Sequence, residues 1–234
     1  MSHPPEPSLR LLSWNVRHLF GDPLAVRRVL RAASPDLVCL QEAPRVPWAV
    51  WSLAALARAT GLLPVAGGWS GAATAMLRSP RAPVRDPEAL RFPLTRWGSQ
   101  RRGATLVSVG RPGGGPGGPF LRVAAVHLGT EAPERLDHTR QLVERLSAQP
   151  LPVVVAGDLN EPPCGPAWQA FSAIATDPAP GASFTYPALH PRRRIDAVLT
   201  GPGVQTLEYG QWTPDRRDAE LASDHLPVLT LLRF

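Results

Sequence analysis

One stretch of the chain joins a buried strand to two polar side chains with useful chemistry. Residues 153–156 are small or β-branched and apolar, which is typical of a strand buried on both faces. Gly157 is expected to let the backbone turn there, and Asp158 and Asn160, two positions apart, are expected to share one face. A carboxylate can bind a cation or activate water, and a neutral amide can hold an anion, so the pair suits phosphoester chemistry. The alternative is an Asx turn that closes the strand.

Polar side chains also stand at the ends or entries of other predicted strands. They are Asn15, Glu42, His127, Asp196, Asp224 and His225. In open α/β folds such edges bind ligands, because loops converge there while the strand bodies stay rigid. Ordinary alternatives exist: Asn15 as a turn former, Glu42 as a solvated loop acid, His127 as a hydrogen-bonded core histidine, and Asp196 in a surface ion pair. Their joint occurrence favours a site for metal and acid–base chemistry.

The elements that would position these residues alternate between strands and helices. Strands are predicted over residues 9–16, 36–41, 62–66, 72–77, 84–90, 104–109, 121–127, 153–156, 195–199, 204–209 and 226–232, and helices over 23–33, 48–60, 131–146 and 167–172. Asp22 and Pro23 supply an N-cap and a first-turn proline, and Gly61 stands where a left-handed cap is expected. Residues 110–119 are almost wholly Gly and Pro and predict a hairpin loop.

Length and cysteine content indicate one domain in a reducing compartment. A chain of 234 residues can bury a substantial core without metal or disulfides. Cys39 and Cys164 show no zinc or disulfide spacing. Residues 1–8 read as a disordered tail without the apolar core of a signal peptide, and no later run is long enough to span a bilayer. We therefore expect one domain over 1–234, a cytoplasmic location and a monomer.

The chain is basic, with a formal charge of +6 and a sequence pI of about 10.8. Every basic residue apart from histidine is an arginine, and the planar guanidinium favours phosphate, so an anionic partner fits. A GC-rich genome would give the same composition. The charge alone decides nothing between these explanations.

Six motifs occur in order across residues 13–228. They are Ser13-Trp14-Asn15-Val16, Leu40-Gln41-Glu42, His127-Leu128, Gly157-Asp158-Leu159-Asn160, Arg194-Ile195-Asp196 and Ser223-Asp224-His225-Leu226-Pro227-Val228. Each is only moderately specific, but the ordered set resembles the endonuclease/exonuclease/phosphatase superfamily. That family includes pancreatic-type DNases, apurinic endonucleases, neutral sphingomyelinases and inositol polyphosphate 5-phosphatases.

The resemblance implies a four-layer α/β sandwich of two mixed sheets with helices outside, and a Mg²⁺ (possibly Mn²⁺) at one edge. Glu42 would be the main metal ligand, with Asn15 and Asp224 close by, a sparse oxygen shell that Mg²⁺ tolerates. Asp158 would orient or deprotonate the attacking water, and Asn160 would place that water or a phosphoryl oxygen. The resemblance also gives His225 a place facing the phosphate, with its ring fixed by Asp196, and His127 a hydrogen bond to a non-bridging oxygen.

The chain also departs from the family pattern. Many DNA-acting members have an acid where this chain has Arg17, and no acid around residues 72–77 can partner His127 as a glutamate does in pancreatic-type DNases. Arg17 and Arg194 are the candidate substrate contacts. Arg101, Arg102, Arg192 and Arg193 could also clamp phosphates, but solvated charge is the favoured interpretation. Core or rim packing is favoured for Trp97, Tyr186 and Trp212, for which base stacking is the alternative.

The expected activity is metal-assisted in-line hydrolysis of a phosphoester, with nucleic acid as the first choice of substrate because of the positive charge. A small phosphorylated metabolite or a phospholipid headgroup is the alternative, favoured by the short chain and by Arg17. A non-catalytic anion-binding module of the same fold is a rival, although such a binder has no need of Asp158 beside a metal ligand. A metal-free acyl hydrolase is poorly supported, because the chain has no Gly-x-Ser-x-Gly elbow.

Overall fold

The computed structural model describes residues 8–44, 49–93, 100–115, 117–210 and 215–234. The predicted tail (apart from Ser8), the start of the helix predicted at Trp48, and Trp97 and Trp212 lie outside these residues. The strands are β1 Leu9–Asn15, β2 Leu37–Gln41, β3 Leu63–Gly67, β4 Ala75–Arg78, β5 Val84–Arg91, β6 Gly103–Gly110, β7 Phe120–His127, β8 Val153–Asp158, β9 Asp196–Thr200, β10 Gln205–Tyr209 and β11 Val228–Arg233. The helices are α1 Pro23–Ala33, α2 Ala49–Thr60, α3 Ala132–Ser147, α4 Pro166–Phe171 and α5 Arg216–Ala222.

The strands form two mixed sheets. One has the order β10-β11-β1-β2-β4-β3, and the other has the order β5-β6-β7-β8-β9. β1 and β2 are parallel, as are β7 and β8, while the remaining neighbours are antiparallel. The parallel pairs therefore carry the carboxyl ends of β1, β2, β7 and β8 to defined sheet edges.

Strand alternation divides the core into three layers. In β1, Leu9 and Leu11 join a buried cluster between the sheets, while Leu12 and Trp14 join a second cluster with α1, α2 and α5. In the other sheet, the odd-numbered apolar residues of β8 pack with α3 and α4, and the even-numbered residues face the opposing sheet. The result is the predicted four-layer sandwich with helices outside, and the fold prediction is confirmed.

Local signals explain where several elements begin and end. The Asp22 side chain accepts a hydrogen bond of 2.8 Å from the Leu24 N–H at the start of α1, and Gly61 has φ +73° after α2, as predicted. The hairpin loop between β6 and β7 is also confirmed. Helix α5 was not predicted, although Asp215 caps it through the Asp218 N–H at 3.0 Å.

The sequence predicted a turn at Gly157, but the chain does not turn there. It lies inside β8, paired with Val126 on the parallel neighbour β7. A Cβ at this position would lie inside van der Waals contact distance of the Val126 carbonyl oxygen, so the glycine allows two buried strands to approach closely. The turn begins after Asp158 instead.

Candidate active site

The alternation that builds the core also collects the polar residues. His127, Asp158 and Asp196 are directly opposite one another on three adjacent strands, since His127 pairs with Asp158 and Asp158 pairs with Asp196. They continue the inward-facing positions of their strands, as Asn15 does on β1 of the other sheet. One end of the space between the sheets is therefore lined with polar groups in place of apolar ones.

Asp158 lies at the centre of this group. One carboxylate oxygen, Oδ2, accepts a hydrogen bond from Asn15 Nδ2 at 3.1 Å and lies 3.4 Å from His127 Nε2 and 3.9 Å from His225 Nε2. The side chain is almost fully buried. Burial, and then the nearby charge of Asp196, raise the pKa of Asp158 to about 7, so this carboxyl can exchange a proton near neutral pH.

Asn160 combines the two interpretations that the sequence left open. Its backbone N–H donates to Asp158 Oδ1 at 2.9 Å, which is the predicted alternative, an Asx turn. Its side-chain Nδ2 donates to the Leu128 carbonyl at 2.9 Å. Because Asn160 has φ +54°, it does not continue the strand on the face of Asp158, and that part of the expectation was wrong. Asn160 instead fixes one oxygen of Asp158 and leaves Oδ2 facing the histidines.

His225 and Asp196 form a buried pair beside Asp158. His225 Nδ1 donates to Asp196 at 2.9 Å, which leaves Nε2 directed toward Asp158. Burial lowers the pKa of His225, but the charge and hydrogen bond of Asp196, followed by Asp158 and Asp224, outweigh it and raise the pKa to about 9. The surface ion pair considered for Asp196 is wrong, since the residue is buried. Tyr186, a stacking candidate, packs on the His225 ring at 4.7 Å.

Glu42 reaches the site from the other sheet through a left-handed turn. β2 ends at Gln41, and Glu42 has φ +50°. Its Oε2 lies 3.5 Å from His18 Nε2, and its Oε1 lies 4.0 Å from His127 Nε2. The sequence interpretation missed His18, which belongs to a 3₁₀ turn, Arg17–Leu19, whose three residues all have positive φ.

The remaining metal candidates and Arg17 lie beside this group. The Asn15 carbonyl accepts a 2.6 Å hydrogen bond from Ser223 Oγ, which ties the end of β1 to the segment that carries Asp224 and His225. Asp224 is half-buried, and its charge contributes to the raised pKa of His225. Arg17 is exposed, and its backbone N–H donates to Asn15 Oδ1 at 3.0 Å. The structure therefore brings both residues to the site, and their roles as metal ligand and substrate contact stay predictions.

His127, which lies near Asp158 and Glu42, also contacts an arginine that the family pattern did not lead us to expect. Arg102, at the entry of β6, places Nη1 2.9 Å from His127 Nδ1 and 2.6 Å from Nε2. Arg102 is only 7% exposed, so its interpretation as solvated charge was wrong.

Arg194 is not a substrate contact in this structure. Its guanidinium forms two hydrogen bonds to Asp177, at 2.7 and 2.9 Å, and a third to the Tyr209 hydroxyl at 3.1 Å. It also packs on the rings of Trp168 and Tyr209, with a side chain that is 3% exposed. With these donors engaged and the side chain buried, Arg194 stabilises the fold beside β9, and the prediction that it clamps a phosphate is corrected.

Two sets of residues could be considered for a divalent cation. Asp158, Asp196 and His225 present ligand atoms within 4.8 Å of one another. His225 Nδ1 already donates to Asp196, and Mg²⁺ prefers oxygen ligands, so this set is better explained as a hydrogen-bonded relay. Glu42 and Asn15 offer oxygen ligands beside this set, near His127 and at the end of β1, and such ligands suit a Mg²⁺ that keeps several waters.

The polar group thus lies at one end of a sandwich of two mixed sheets with helices outside. A family model described as the Endonuclease/Exonuclease/phosphatase family matches residues 12–225. The chain belongs to this family. No curated protein matches the sequence significantly.

Solved structures with the same fold extend over nearly the whole chain. An endonuclease/exonuclease/phosphatase from Beutenbergia cavernae is 25% identical, with a TM-score of 0.72 over 98% of this chain and 72% of that one. A mannosyl-6-phosphatase from Bacteroides thetaiotaomicron is 16% identical, with a TM-score of 0.78 over 97% of this chain and 100% of that one. The human Nocturnin catalytic domain is 17% identical, with a TM-score of 0.72 over the full length of both. Among the described helices, none has the length and apolar content needed to cross a bilayer.

Proposed function

We propose that the protein is a Mg²⁺-dependent hydrolase that cleaves a phosphoester by in-line attack of water, with Mn²⁺ as an alternative ion. The observation that carries the proposal is the convergence of Asn15, His127 and His225 on a single oxygen of Asp158. A buried carboxylate with a pKa of about 7, beside a histidine with a pKa of about 9, supplies a base and an acid that coexist between those values.

The residues of the site divide the work. Asp158 Oδ2 orients the attacking water and accepts its proton, while the Asn160 N–H holds the other carboxylate oxygen in place. His225 faces the phosphoryl group through Nε2, and its ring is held in place by the hydrogen bond from Nδ1 to Asp196. Glu42 and Asn15, with Asp224 nearby, would hold the cation. When bound, that ion offsets the negative charge that develops on the phosphoryl and leaving oxygens.

The proposed substrate is a nucleic-acid phosphodiester. The formal charge of +6 and the exposed Arg17 at the site support an extended polyanion. Binding of a polyanion displaces counterions, so turnover of single-stranded DNA, duplex DNA or RNA should fall steeply between 50 and 200 mM salt, by about a factor of ten or more. Salt-insensitive turnover would exclude this substrate class.

A small phosphorylated compound or a phospholipid headgroup is the second candidate. The arginine at position 17, where many DNA-acting members carry an acid, and the end-to-end match with a sugar phosphatase support it. Inositol phosphates, sugar phosphates and sphingomyelin should be compared with nucleic acids under one set of conditions. Release of inorganic phosphate or phosphocholine at a rate independent of salt would favour this candidate.

The test of hydrolysis is Mg²⁺-dependent release of nitrophenol from bis(p-nitrophenyl) phosphate. Asp158→Ala should lower kcat by about 10²-fold or more, because a positioned acid–base group typically contributes that much. Asp36→Asn is the matched control, since Asp36 is a buried carboxylate at the start of β2, away from the site. If wild type and Asp158→Ala are equally inert while the wild type binds an anion, the protein is a binding module.

We also infer that the protein acts as a monomer in the cytoplasm. The two cysteines support a reducing compartment, since Cys39 is buried and Cys164 is exposed and both are free. Light scattering of the purified protein should give a mass near 25.2 kDa.

A further inference from the structure

Arg102 is an exception among the buried arginines of the described residues. Four arginines there are buried: Arg102, Arg122, Arg135 and Arg194. Three of them contact a carboxylate, because Arg122 pairs with Glu88 at 3.0 Å, Arg135 with Glu161 at 2.9 Å and Arg194 with Asp177 at 2.7 Å. Burying a charge without a partner is costly, so such pairing is the rule. Arg102 has a histidine ring in place of a carboxylate.

The charges around Arg102 act on it only at a distance. Burial lowers its pKa, and Asp158, Glu42 and Glu134 oppose that effect through space. Within the described part of the chain, none of these carboxylates lies within 4.0 Å of the guanidinium. The position is fixed from two sides, since β6 pairs with β7 beside His127 and the Arg102 carbonyl accepts from the Phe92 N–H at 3.0 Å. Arg102 is therefore a cation that contacts the site through His127 and has no carboxylate partner among the residues that the structure describes.

The contact with His127 also determines how that ring behaves. A guanidinium has donors and no acceptor, so a ring nitrogen of His127 that hydrogen-bonds to Arg102 is the acceptor. The positive charge of Arg102 therefore lies directly beside the His127 ring.

We infer that Arg102 binds a non-bridging oxygen of the substrate phosphoryl group, which completes the ion pair that the other buried arginines make within the protein. The inference rests on the proposed function and assigns to Arg102 a substrate contact at the same site. Five N–H donors in a planar fork suit phosphate, and His127 contacts only Nη1. His127 Nε2 is 3.4 Å from Asp158 Oδ2, so an oxygen bound by Arg102 would lie beside the base that activates water.

The experiment compares Arg102→Gln and Arg102→Lys with Arg122→Gln. Arg122 is a buried arginine in the same sheet, and it pairs with Val153 at the opposite end of β8 from Asp158. Kinetics with bis(p-nitrophenyl) phosphate give kcat and KM, and calorimetry of the metal-free protein gives the Kd of inorganic phosphate. Thermal unfolding gives the stability of each variant.

Arg102→Gln should weaken phosphate binding at least tenfold and lower kcat/KM about 100-fold, and Arg102→Lys should recover part of both. The Tm of Arg102→Gln should stay at or above that of the wild type, because an uncompensated buried charge is removed. Arg122→Gln should show the reverse, with a lower Tm and unchanged phosphate affinity.

Two results would count against the inference in different ways. If the wild type hydrolyses the diester and Arg102→Gln stays within threefold of it in both kcat/KM and phosphate Kd, only the role of Arg102 is overturned. Wild-type protein that neither hydrolyses the diester with Mg²⁺ nor binds phosphate would overturn the proposed function, and the inference with it.

Discussion

Replacing Asp196 with asparagine should separate the charge of this residue from its shape. Asp196 holds His225 Nδ1 at 2.9 Å, and the pKa of His225 rises from 6.5 to about 9. A shift of this size corresponds to roughly 3 kcal/mol of preference for the protonated ring. Asp196 is the largest of the groups that raise the pKa, ahead of Asp158 and Asp224, so it supplies the larger share.

In Asp196→Asn the amide oxygen can still accept from Nδ1, but the negative charge is lost. Burial, which lowers the pKa of His225, is then opposed only by the weaker contributions of the other carboxylates. The pKa should fall toward 6.5 or below. At pH 8 the ring becomes neutral, and kcat should decrease by about 10²- to 10⁴-fold, the range for loss of a positioned proton donor.

The assay is the pH dependence of kcat for Mg²⁺-dependent diester hydrolysis between pH 5.5 and 9.5. The decrease on the alkaline side, expected near pH 9 in the wild type, should move down by about two pH units in the variant. NMR titration of the His225 ring nitrogens in metal-free protein measures the same pKa directly. Asp36→Asn is the control for loss of a buried carboxylate elsewhere. An alkaline limb that stays near pH 9 in Asp196→Asn would refute the reasoning.

Three further perturbations probe the framework of the site. Replacing Arg194 with methionine strands the carboxylate of its ion-pair partner and should lower the free energy of unfolding in urea by about 3–5 kcal/mol, with kcat of the folded variant unchanged. Gly157→Ala should lower it by at least about 3 kcal/mol, because the added Cβ meets a neighbouring strand, whereas Gly115→Ala, which meets nothing within 4 Å, should be nearly neutral. In metal-free protein, raised pKa values of Asp158 and His225 mean that the folded state binds protons more tightly. Stability should therefore decline between pH 3.8 and about 7 through Asp158 and between pH 6.5 and about 9 through His225, and level off above that, measured by urea unfolding at constant ionic strength.

Each of these three has an outcome that would contradict it. If the folded Arg194→Met variant also loses kcat, Arg194 contacts the substrate after all. Similar stabilities for the two glycine variants would show that the β7–β8 contact relaxes easily. A free energy of unfolding that rises from pH 4 to 7 would contradict the role of Asp158, and one that rises from pH 7 to 9 would contradict that of His225.

The positions of the site residues were predictable wherever strand alternation extends to the strand end. Asn15, His127, Asp158 and Asp196 occupy inward-facing positions, and apolar residues two positions away, or four in the case of Asn15, face the same way. Two facts therefore suffice to predict that these side chains lie at one edge of the sandwich: side chains two apart on a strand share a face, and β1–β2 and β7–β8 are parallel pairs. Whether they touch is a matter of register, which the sequence does not specify without the pairing of the strands.

The arginines show what local sequence could not decide. Arg194 follows two other arginines and precedes Asp196, so it looked like a phosphate clamp. Its environment is set by Asp177 and Trp168, which are distant in sequence. Arg102 did carry a usable signal, because a hairpin closed by the Gly- and Pro-rich loop brings Gly103 opposite His127.

The strand ends explain why these residues meet so closely. Arg17, His18, Glu42 and Asn160 all have positive φ just after β1, β2 and β8, although none is glycine. Non-glycine residues adopt this backbone reluctantly, and such strain tends to persist at functional sites, where the surrounding contacts enforce it. Here the contacts are visible: the His18 N–H donates to the Glu42 carbonyl at 2.7 Å, and the Asn160 N–H donates to Asp158. Regular strands would carry the chain out of the sheet edge, whereas these turns fold Glu42 back toward His127. The regular strands thus position Asp158 as the base and Asp196 as the partner of His225. The strained turns position Glu42, the carboxylate that suits a cation.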